Sequence, residues 1–176
     1  MVENINIRQS TVEDWPALQE LYAAAFPHED LLPLVEALLY NELIALSLVG
    51  IVRSTVACHV VFTHCSIPRV NIDVRLLGPL AVTPTLQRQG IGSAVVKNGL
   101  KTLQNQGVAR VYVLGDPAYY RRFSFLPETD TKPPYPLPAE WTGAWQSISL
   151  DNTKEAHICS VLTVPEPWRR PSLWRP

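Results

Sequence analysis

The sequence has few cysteines, no long apolar run and almost no net charge, and each of these features excludes a class of protein. The three cysteines, Cys58, Cys65 and Cys159, have spacings that suit neither a disulfide framework nor a tetrahedral metal site. We therefore expect reduced thiols and no metal. No apolar run reaches the roughly 20 residues that span a bilayer. The net charge of −1 provides no overall field for nucleic acid or an anionic membrane.

The chain also begins without a basic and then apolar leader, which predicts a cytoplasmic protein. A length of 176 residues with 47% hydrophobic content can bury one substantial core. We predict a single domain over residues 1–165, which includes a proline-rich loop at 127–140, and a C-terminal tail at 166–176. The tail carries two tryptophans that we expect to pack back or to form a contact.

Hydrophobic periodicity predicts alternating strands and helices. A short strand near Ile5 and Ile7 precedes a helix, whose start is marked by capping-box chemistry at Ser10–Glu13, and a second helix follows over Leu31–Leu39. Strands are predicted at 43–52, 55–65, 72–82, 108–115, 146–150 and 157–164, and a long helix from Ile91 towards Gly107. The near-continuous apolar character of the first two of these strands favours helices on both faces of the sheet.

Residues 78–92 carry the clearest chemical signal in the chain. An apolar strand end passes through a proline turn into Gln-Arg-Gln-Gly-Ile-Gly, which opens a helix. The first N–H groups of a helix have no intrahelical partner and attract anions, and Gly90 and Gly92 leave the backbone open to approach. The segment is neither a Walker loop nor a Gly-x-Gly-x-x-Gly fingerprint. It therefore predicts a cradle for the pyrophosphate of a different cofactor.

Three blocks in this order resemble the GCN5-related N-acetyltransferases. The hexapeptide at 87–92 matches the Gln/Arg-x-x-Gly-x-Gly/Ala signature for acetyl-CoA, residues 80–84 match the strand end before it, and residues 119–125 match the later Phe-Tyr-x-x-x-Gly-Phe block. The run 114–120 is similar to the branch called YhbS-like predicted acetyltransferases. One departure is Ser124, which stands where the family has glycine, and serine resists a positive φ.

The resemblance implies a three-layer α/β/α fold around a central mixed, mostly antiparallel sheet that splays at the cofactor cleft. It implies acetyl-CoA as the acetyl-donor substrate, with pantetheine lying like a missing strand. The residues expected to bind the coenzyme are Leu80, Ala81, Val82, Gln87, Arg88, Gln89, Gly90, Ile91, Gly92, Ser93 and Tyr119. The first two helices would wall the acceptor site.

The activity that the resemblance implies is transfer of the acetyl group to a primary amine by direct attack in a ternary complex. Tyr120 aligns with the family tyrosine near the sulfur of CoA and is the expected general acid. Asp73 is the first choice for the general base because family bases often arise on this strand, and Glu29 is a weaker option. The acceptor is expected to be a small molecule more than a protein.

Other interpretations of the same residues stay open. The chain could bind an acyl-CoA as a sensor or interaction module without turnover, since a fold alone does not settle activity. His59 and His64 lie near two cysteines, but strand alternation and spacing disfavour a shared metal ion. Trp168, Arg169, Arg170 and Trp174 of the tail are thin evidence for nucleic-acid binding, so packing or a homodimer contact is the expected role.

Overall fold

The computed structural model describes residues 4–39, 45–151 and 158–175. The helices are α1 (Trp15–Ala25), α2 (Leu32–Leu39), α3 (Ile91–Asn105) and α4 (Pro117–Tyr120). The strands are β1 (Asn6–Gln9), β2 (Ala45–Val52), β3 (Thr55–Ile67), β4 (Val70–Val82), β5 (Arg110–Leu114), β6 (Leu126–Pro127), β7 (Thr131–Lys132), β8 (Trp145–Ser149) and β9 (Ser160–Val161).

Seven strands form the central sheet in the order β1-β2-β3-β4-β5-β8-β6, and β7 pairs with β9 in a separate two-stranded sheet. The antiparallel pairs are β1 with β2, β5 with β8, and β6 with β8, whereas β4 and β5 are parallel. The predicted mixed, mostly antiparallel sheet is confirmed. The two-residue turn between β2 and β3 places Arg53 at φ 48° and Ser54 at φ 64°, which is the geometry of a tight hairpin.

The chain divides into two compact units. The first unit comprises Met1–Phe62 and Gly78–Lys101, and the second unit comprises Thr63–Leu77 and Thr102–Pro176. The first unit has a core in which Leu18, Leu21 and Tyr22 of α1 pack with Val35 of α2 and Val49 of β2. The spacing of the α1 residues places them on one helical face, which explains why this sequence forms a helix against a sheet. The prediction of a single domain over 1–165 stays a prediction.

The second unit has a core of aromatic rings, and it contains the buried ion pair of Arg110 with Glu128. Trp174 is 1% exposed and lies 6.0 Å from the ring of Trp145, and its indole N–H donates to the carbonyl of Trp168 at 3.0 Å. The indole N–H of Trp168 donates to Thr63 Oγ1, also at 3.0 Å. The tail therefore packs back as expected, and both indole rings are buried instead of being presented for stacking on bases.

Three local predictions differ from the structure. The helix cap is shifted by one residue, because the carboxylate of Asp14 accepts the N–H of Thr11 at 2.8 Å. The proline-rich loop contains the short strand β7 and the end of β6. The last predicted strand is reduced to Ser160–Val161, and the part of that prediction at residue 157 lies outside the described residues.

Candidate functional site

The segment that enters α3 has the backbone geometry of an anion cradle. After β4 ends at Val82, a 3₁₀ turn over Pro84–Leu86 leads into the exposed residues 87–90. Arg88 has φ 60° and Gly90 has φ 85°, both in the left-handed region. The first helical hydrogen bond runs from Ala94 N–H to Gly90 O at 2.9 Å. The N–H groups before Ala94 thus lie at the positive end of a 15-residue helix.

Two glutamines of the signature brace this loop. Gln87 Nε2 donates to the carbonyl of Val82 at 3.2 Å, and Gln89 Nε2 donates to the carbonyl of Thr85 at 3.1 Å. Both side chains therefore bond the loop to itself, while the exposed Arg88 lies between them along the chain. We interpret the glutamines as residues that hold the loop in shape, since left-handed backbone at a non-glycine residue needs support from its surroundings.

β4 extends beyond its register with β5. The parallel pairs run from Val74 with Arg110 to Leu77 with Val113, whereas β4 continues to Val82. Leu80, Ala81 and Val82, which the resemblance assigns to pantetheine binding, lie in this extension. Backbone groups that a neighbouring strand does not pair can bond an extended ligand.

Tyr120 lies in the second unit at the end of α4. Asp116 caps this short helix by accepting the N–H of Ala118 at 2.8 Å. The ring of Tyr120 packs edge-on against Tyr119 at 5.0 Å and Phe125 at 5.7 Å, and the residue is 8% exposed. Burial raises the pKa of the Tyr120 phenol above its ordinary value, and the charges of Tyr119 and Asp116 act in the same direction. The phenol is therefore protonated at neutral pH and can donate a proton.

Gly115 sets the position of this ring. A Cβ built on Gly115 would collide with the Tyr120 ring. We expect Gly115→Ala to displace the ring of Tyr120, the predicted general acid, and to lower turnover by about 10-fold or more, because a shift of about 1 Å in such a group can cost up to 100-fold. Steady-state kinetics measure this effect. Gly143→Ala is the matched control, since a Cβ there meets nothing within 4 Å. Equal rates for the Gly115 variant and the wild type would contradict this role.

The residues around Tyr120 complete the block that matches the family. The guanidinium of Arg122 lies 4.5 Å from the ring centre of Tyr119, and Arg122 Nε donates to the carbonyl of Tyr119 at 2.9 Å. Ser124 adopts φ 71° and ψ 21°, the left-handed conformation that glycine takes most easily. The replacement of glycine by serine therefore leaves the turn intact, and serine simply adopts the conformation that it disfavours.

Asp73, the first choice for the general base, lies far from Tyr120 within the same unit. Its carbonyl accepts the N–H of Ala109, just before β5, whereas Tyr120 packs against Gly115, just after β5. Ala109 and Gly115 are six residue steps apart along the strand, or about 20 Å. The structure does not bring the two side chains together.

The Asp73 carboxylate is also in contact with two neighbouring side chains. Arg75 Nη1 contacts Asp73 Oδ1, and His64 Nδ1 lies 3.2 Å from the same oxygen. The same carboxylate oxygen is therefore already bonded to two side chains of the protein. The base assignment remains a prediction, and both observations weigh against it.

Glu29, the weaker option for the base, lines a pocket in the first unit. The pocket has a volume of about 430 Å³ and lies where α1 ends and α2 begins. It is lined by Tyr22, Ala23, Phe26, Pro27, His28, Glu29, Asp30, Leu31 and Leu32. This is the region that the first two helices were expected to wall.

Sequence reasoning missed a buried polar network beside this pocket. His59 is fully buried, with Nδ1 2.8 Å from Tyr22 Oη and Nε2 2.8 Å from Ser47 Oγ. Ser10 Oγ lies 2.6 Å from Ser47 Oγ and extends the network to a half-buried position. Tyr22 and His59 are 37 residues apart, and no local pattern signals a contact across that separation. His59 thus bonds hydroxyl groups on α1 and β2.

Within the described ranges, no group of three or more histidine, cysteine, aspartate or glutamate side chains is placed to hold a metal ion. Cys58 and Cys65 are buried and Cys159 is exposed. In the same described ranges, none of the helices combines the length and apolar character needed to cross a bilayer.

Comparison with known proteins identifies the family. The model of the acetyltransferase (GNAT) family matches residues 6–125, which include β1, the loop before α3 and Tyr120. The chain belongs to the GNAT acetyltransferase family. It is 33% identical over 141 residues to the uncharacterized N-acetyltransferase YjhQ of Escherichia coli K12, covering 76% of this chain and 77% of that protein. It is 31% identical over 120 residues to the uncharacterized N-acetyltransferase YhbS of the same strain, covering 68% and 72%.

Solved structures of GNAT proteins have the same fold. The YhbS structure from Escherichia coli, a complex with CoA, matches with a TM-score of 0.87 and 25% identity over 97% of this chain and 94% of that one. A GNAT acetyltransferase from Brucella melitensis matches with a TM-score of 0.75 and 24% identity, covering 94% and 98%. The solved structures confirm the predicted fold class. The family model and the two relatives confirm the predicted family and support an acyltransferase.

Proposed function

We propose that this GNAT protein transfers the acetyl group of acetyl-CoA to a primary amine by direct attack in a ternary complex. The observation that carries the proposal is the loop before α3, where left-handed Arg88 and Gly90 precede the N-terminus of a long helix. The relative YhbS, which is similar over nearly the whole chain, has been solved with CoA. The residues present fit that ligand, because the loop offers main-chain donors and the exposed Arg88 adds a positive charge.

The main chemical tasks in this proposal are assigned to three groups of predicted residues. The main-chain N–H groups at residues 88–93 bind the diphosphate, and the backbone of Leu80–Val82 bonds the pantetheine amides. Acetyl-CoA supplies a thioester that a neutral amine can attack. Tyr120 donates its phenolic proton to the departing thiolate, which its neutral state at pH 7 permits.

The amine must lose a proton before it attacks. A free alkylamine has a pKa of about 10.4, so only a small fraction is neutral at pH 7. Asp73 remains the base predicted from the sequence, although its distance from Tyr120 disfavours it. Glu29, the weaker option predicted from the sequence, lines the pocket beside α1 and α2.

CoA release with a panel of amines tests this proposal. The panel contains phenethylamine, ethanolamine, spermidine, an aminoglycoside, L-lysine and a peptide with a free N-terminus, and a thiol reagent detects the CoA released. We expect turnover that saturates with at least one of these amines. Binding of acetyl-CoA without turnover of any amine would favour a sensor instead and would refute the enzymatic proposal.

A further inference from the structure

The pocket at the junction of α1 and α2 has two chemically different parts. Six of its nine lining residues are apolar or aromatic, and the other three are His28, Glu29 and Asp30. None of the nine is a lysine or an arginine. A volume of about 430 Å³ lies in the range of small-molecule sites. The pocket therefore suits a small ligand that is apolar at one end and cationic at the other.

The aromatic part of the pocket is held in a fixed position. The rings of Tyr22 and Phe26 are stacked, with centroids 5.8 Å apart and planes at 23°. The Tyr22 hydroxyl is bonded to His59, which is bonded in turn to Ser47 on β2. Tyr22 is only 2% exposed, and the network holds this lining residue of the pocket in place through its buried hydroxyl. A side chain anchored in this way presents a surface of defined shape to a ligand.

His59, which anchors the Tyr22 hydroxyl, stays neutral at and around neutral pH. Burial lowers the pKa of His59 to about 3, opposed only by the negative charge of Asp14, which is itself paired with Arg8. The neighbouring Cys58 and Tyr22 have pKa values raised by burial and are also neutral. A neutral imidazole bonds two hydroxyls, one as donor and one as acceptor, without any buried charge.

We propose that this pocket selects an amphipathic primary amine, with its apolar body against the Tyr22–Phe26 stack and its ammonium group near Glu29 and Asp30. Tyr22 is then a specificity-determining residue for the acceptor, and His59 is a positioning residue that acts through it. The inference rests on the proposed function and adds the acceptor class to it. Charge complementarity and an apolar wall of matching size are the physical basis.

Direct binding tests the inference without relying on turnover. Isothermal titration of the full chain with phenethylamine and with ethanolamine compares two primary amines of which only the first has an apolar body. We expect phenethylamine to bind at least about 10-fold more tightly, because burying an apolar side chain is worth roughly 1.5–3 kcal/mol and 1.4 kcal/mol is tenfold. Equal affinities, or no binding of either amine, would overturn the inference.

The carboxylates are tested with variants at exposed positions, where folding is not at risk. Glu29→Gln combined with Asp30→Asn is expected to weaken phenethylamine binding by about 3- to 10-fold, since an exposed charge contributes up to roughly 1 kcal/mol. Glu36→Gln is the matched control because Glu36 is an exposed carboxylate on α2 that does not line the pocket. An equal loss in the control, or no loss in the double variant, would contradict the assignment.

Tyr22→Phe tests the anchor, because it keeps the ring and removes the bond to His59. We expect the KM for phenethylamine to rise by about 2- to 10-fold, the value of one hydrogen bond, with no matching rise for ethanolamine. The KM of His59→Gln for phenethylamine should be closer to the wild-type value than the KM of His59→Leu, because glutamine can still bond Tyr22. Tyr112→Phe is the control, since it removes an equally buried hydroxyl from the second unit.

The outcomes separate this inference from the proposed function. Selective binding of phenethylamine without acetylation of any amine would support the pocket assignment and refute the enzymatic proposal. Acetylation of amines with KM values that do not respond to the Tyr22 and Glu29 variants would support the enzyme and overturn the pocket assignment. A rise in KM that is equal for both amines would show a purely structural role for Tyr22 and would also overturn it.

Discussion

Tyr120→Phe is expected to lower kcat for amine acetylation by about 10²- to 10⁴-fold, the usual contribution of a positioned general acid. The substitution keeps the ring that packs against Tyr119 and Phe125 and removes only the donor. The affinity for CoA, measured by titration calorimetry, should not change. Because burial raises the pKa of the phenol, the wild type should keep its acid in the protonated form up to and beyond pH 10.

Tyr112→Phe provides the control for this measurement. Tyr112 is fully buried in the same unit, and its hydroxyl bonds Thr131 instead of facing a proposed substrate. The two variants lose the same atom, so a difference in kcat between them reports the position of the hydroxyl. If Tyr120→Phe retains full activity, another group or water donates the proton, and the general-acid role is wrong.

Glu128→Ala is expected to lower the free energy of unfolding by about 3–5 kcal/mol, because it removes the carboxylate that pairs with the buried Arg110. The side chains of Arg110 and Glu128 are 10% and 4% exposed, and the Nη1 and Oε2 atoms are 3.3 Å apart. The same carboxylate accepts the hydroxyl of Ser147 at 2.7 Å and the N–H of Thr131 at 3.0 Å. One residue thus ties the proline-rich loop to β5 and β8.

Urea denaturation followed by circular dichroism measures this loss. Glu140→Ala, at an exposed position of the same loop, is the control and should be nearly neutral. Replacing the pair together, as Arg110→Met with Glu128→Leu, should recover part of the loss, since an apolar pair carries no unpaired charge. A single Glu128 variant as stable as the wild type would show that the ion pair does not hold the loop.

The local features of the fold were predictable from the sequence because their causes are local. The spacing of Gly90, Gly92 and the apolar residues after them predicts both the turn and α3, and the two residues between β2 and β3 predict the hairpin. Glycine and turn residues act within a few positions of themselves. For the same reason the capping box before α1 was predicted to within one residue, at Ser10–Glu13 instead of Thr11–Asp14.

The polar networks could not be predicted, because their members are far apart in the sequence. Tyr22 bonds His59 across 37 residues, and Trp168 bonds Thr63 across 105. Such pairs depend on how strands and helices assemble, and composition or periodicity carries no trace of them. The same distinction between local and long-range causes applies to the candidate site. The loop before α3, which is proposed to bind the coenzyme, is contiguous and could be predicted from the sequence. The pocket proposed for the acceptor is lined by another contiguous segment, residues 22–32, but the bond that anchors Tyr22 in its wall comes from His59, 37 residues away.

The loop before α3 is the centre of this account, and calorimetric titration of CoA tests it most directly. Gly90→Val with Gly92→Val would place branched side chains where the diphosphate must approach, one of them at φ 85°. Gly143→Val is the control at an open position outside the loop. We predict a loss of affinity of about 100-fold or more, because a charge-assisted hydrogen bond contributes roughly 1.5–3 kcal/mol. Undiminished affinity in a folded double variant would contradict the account.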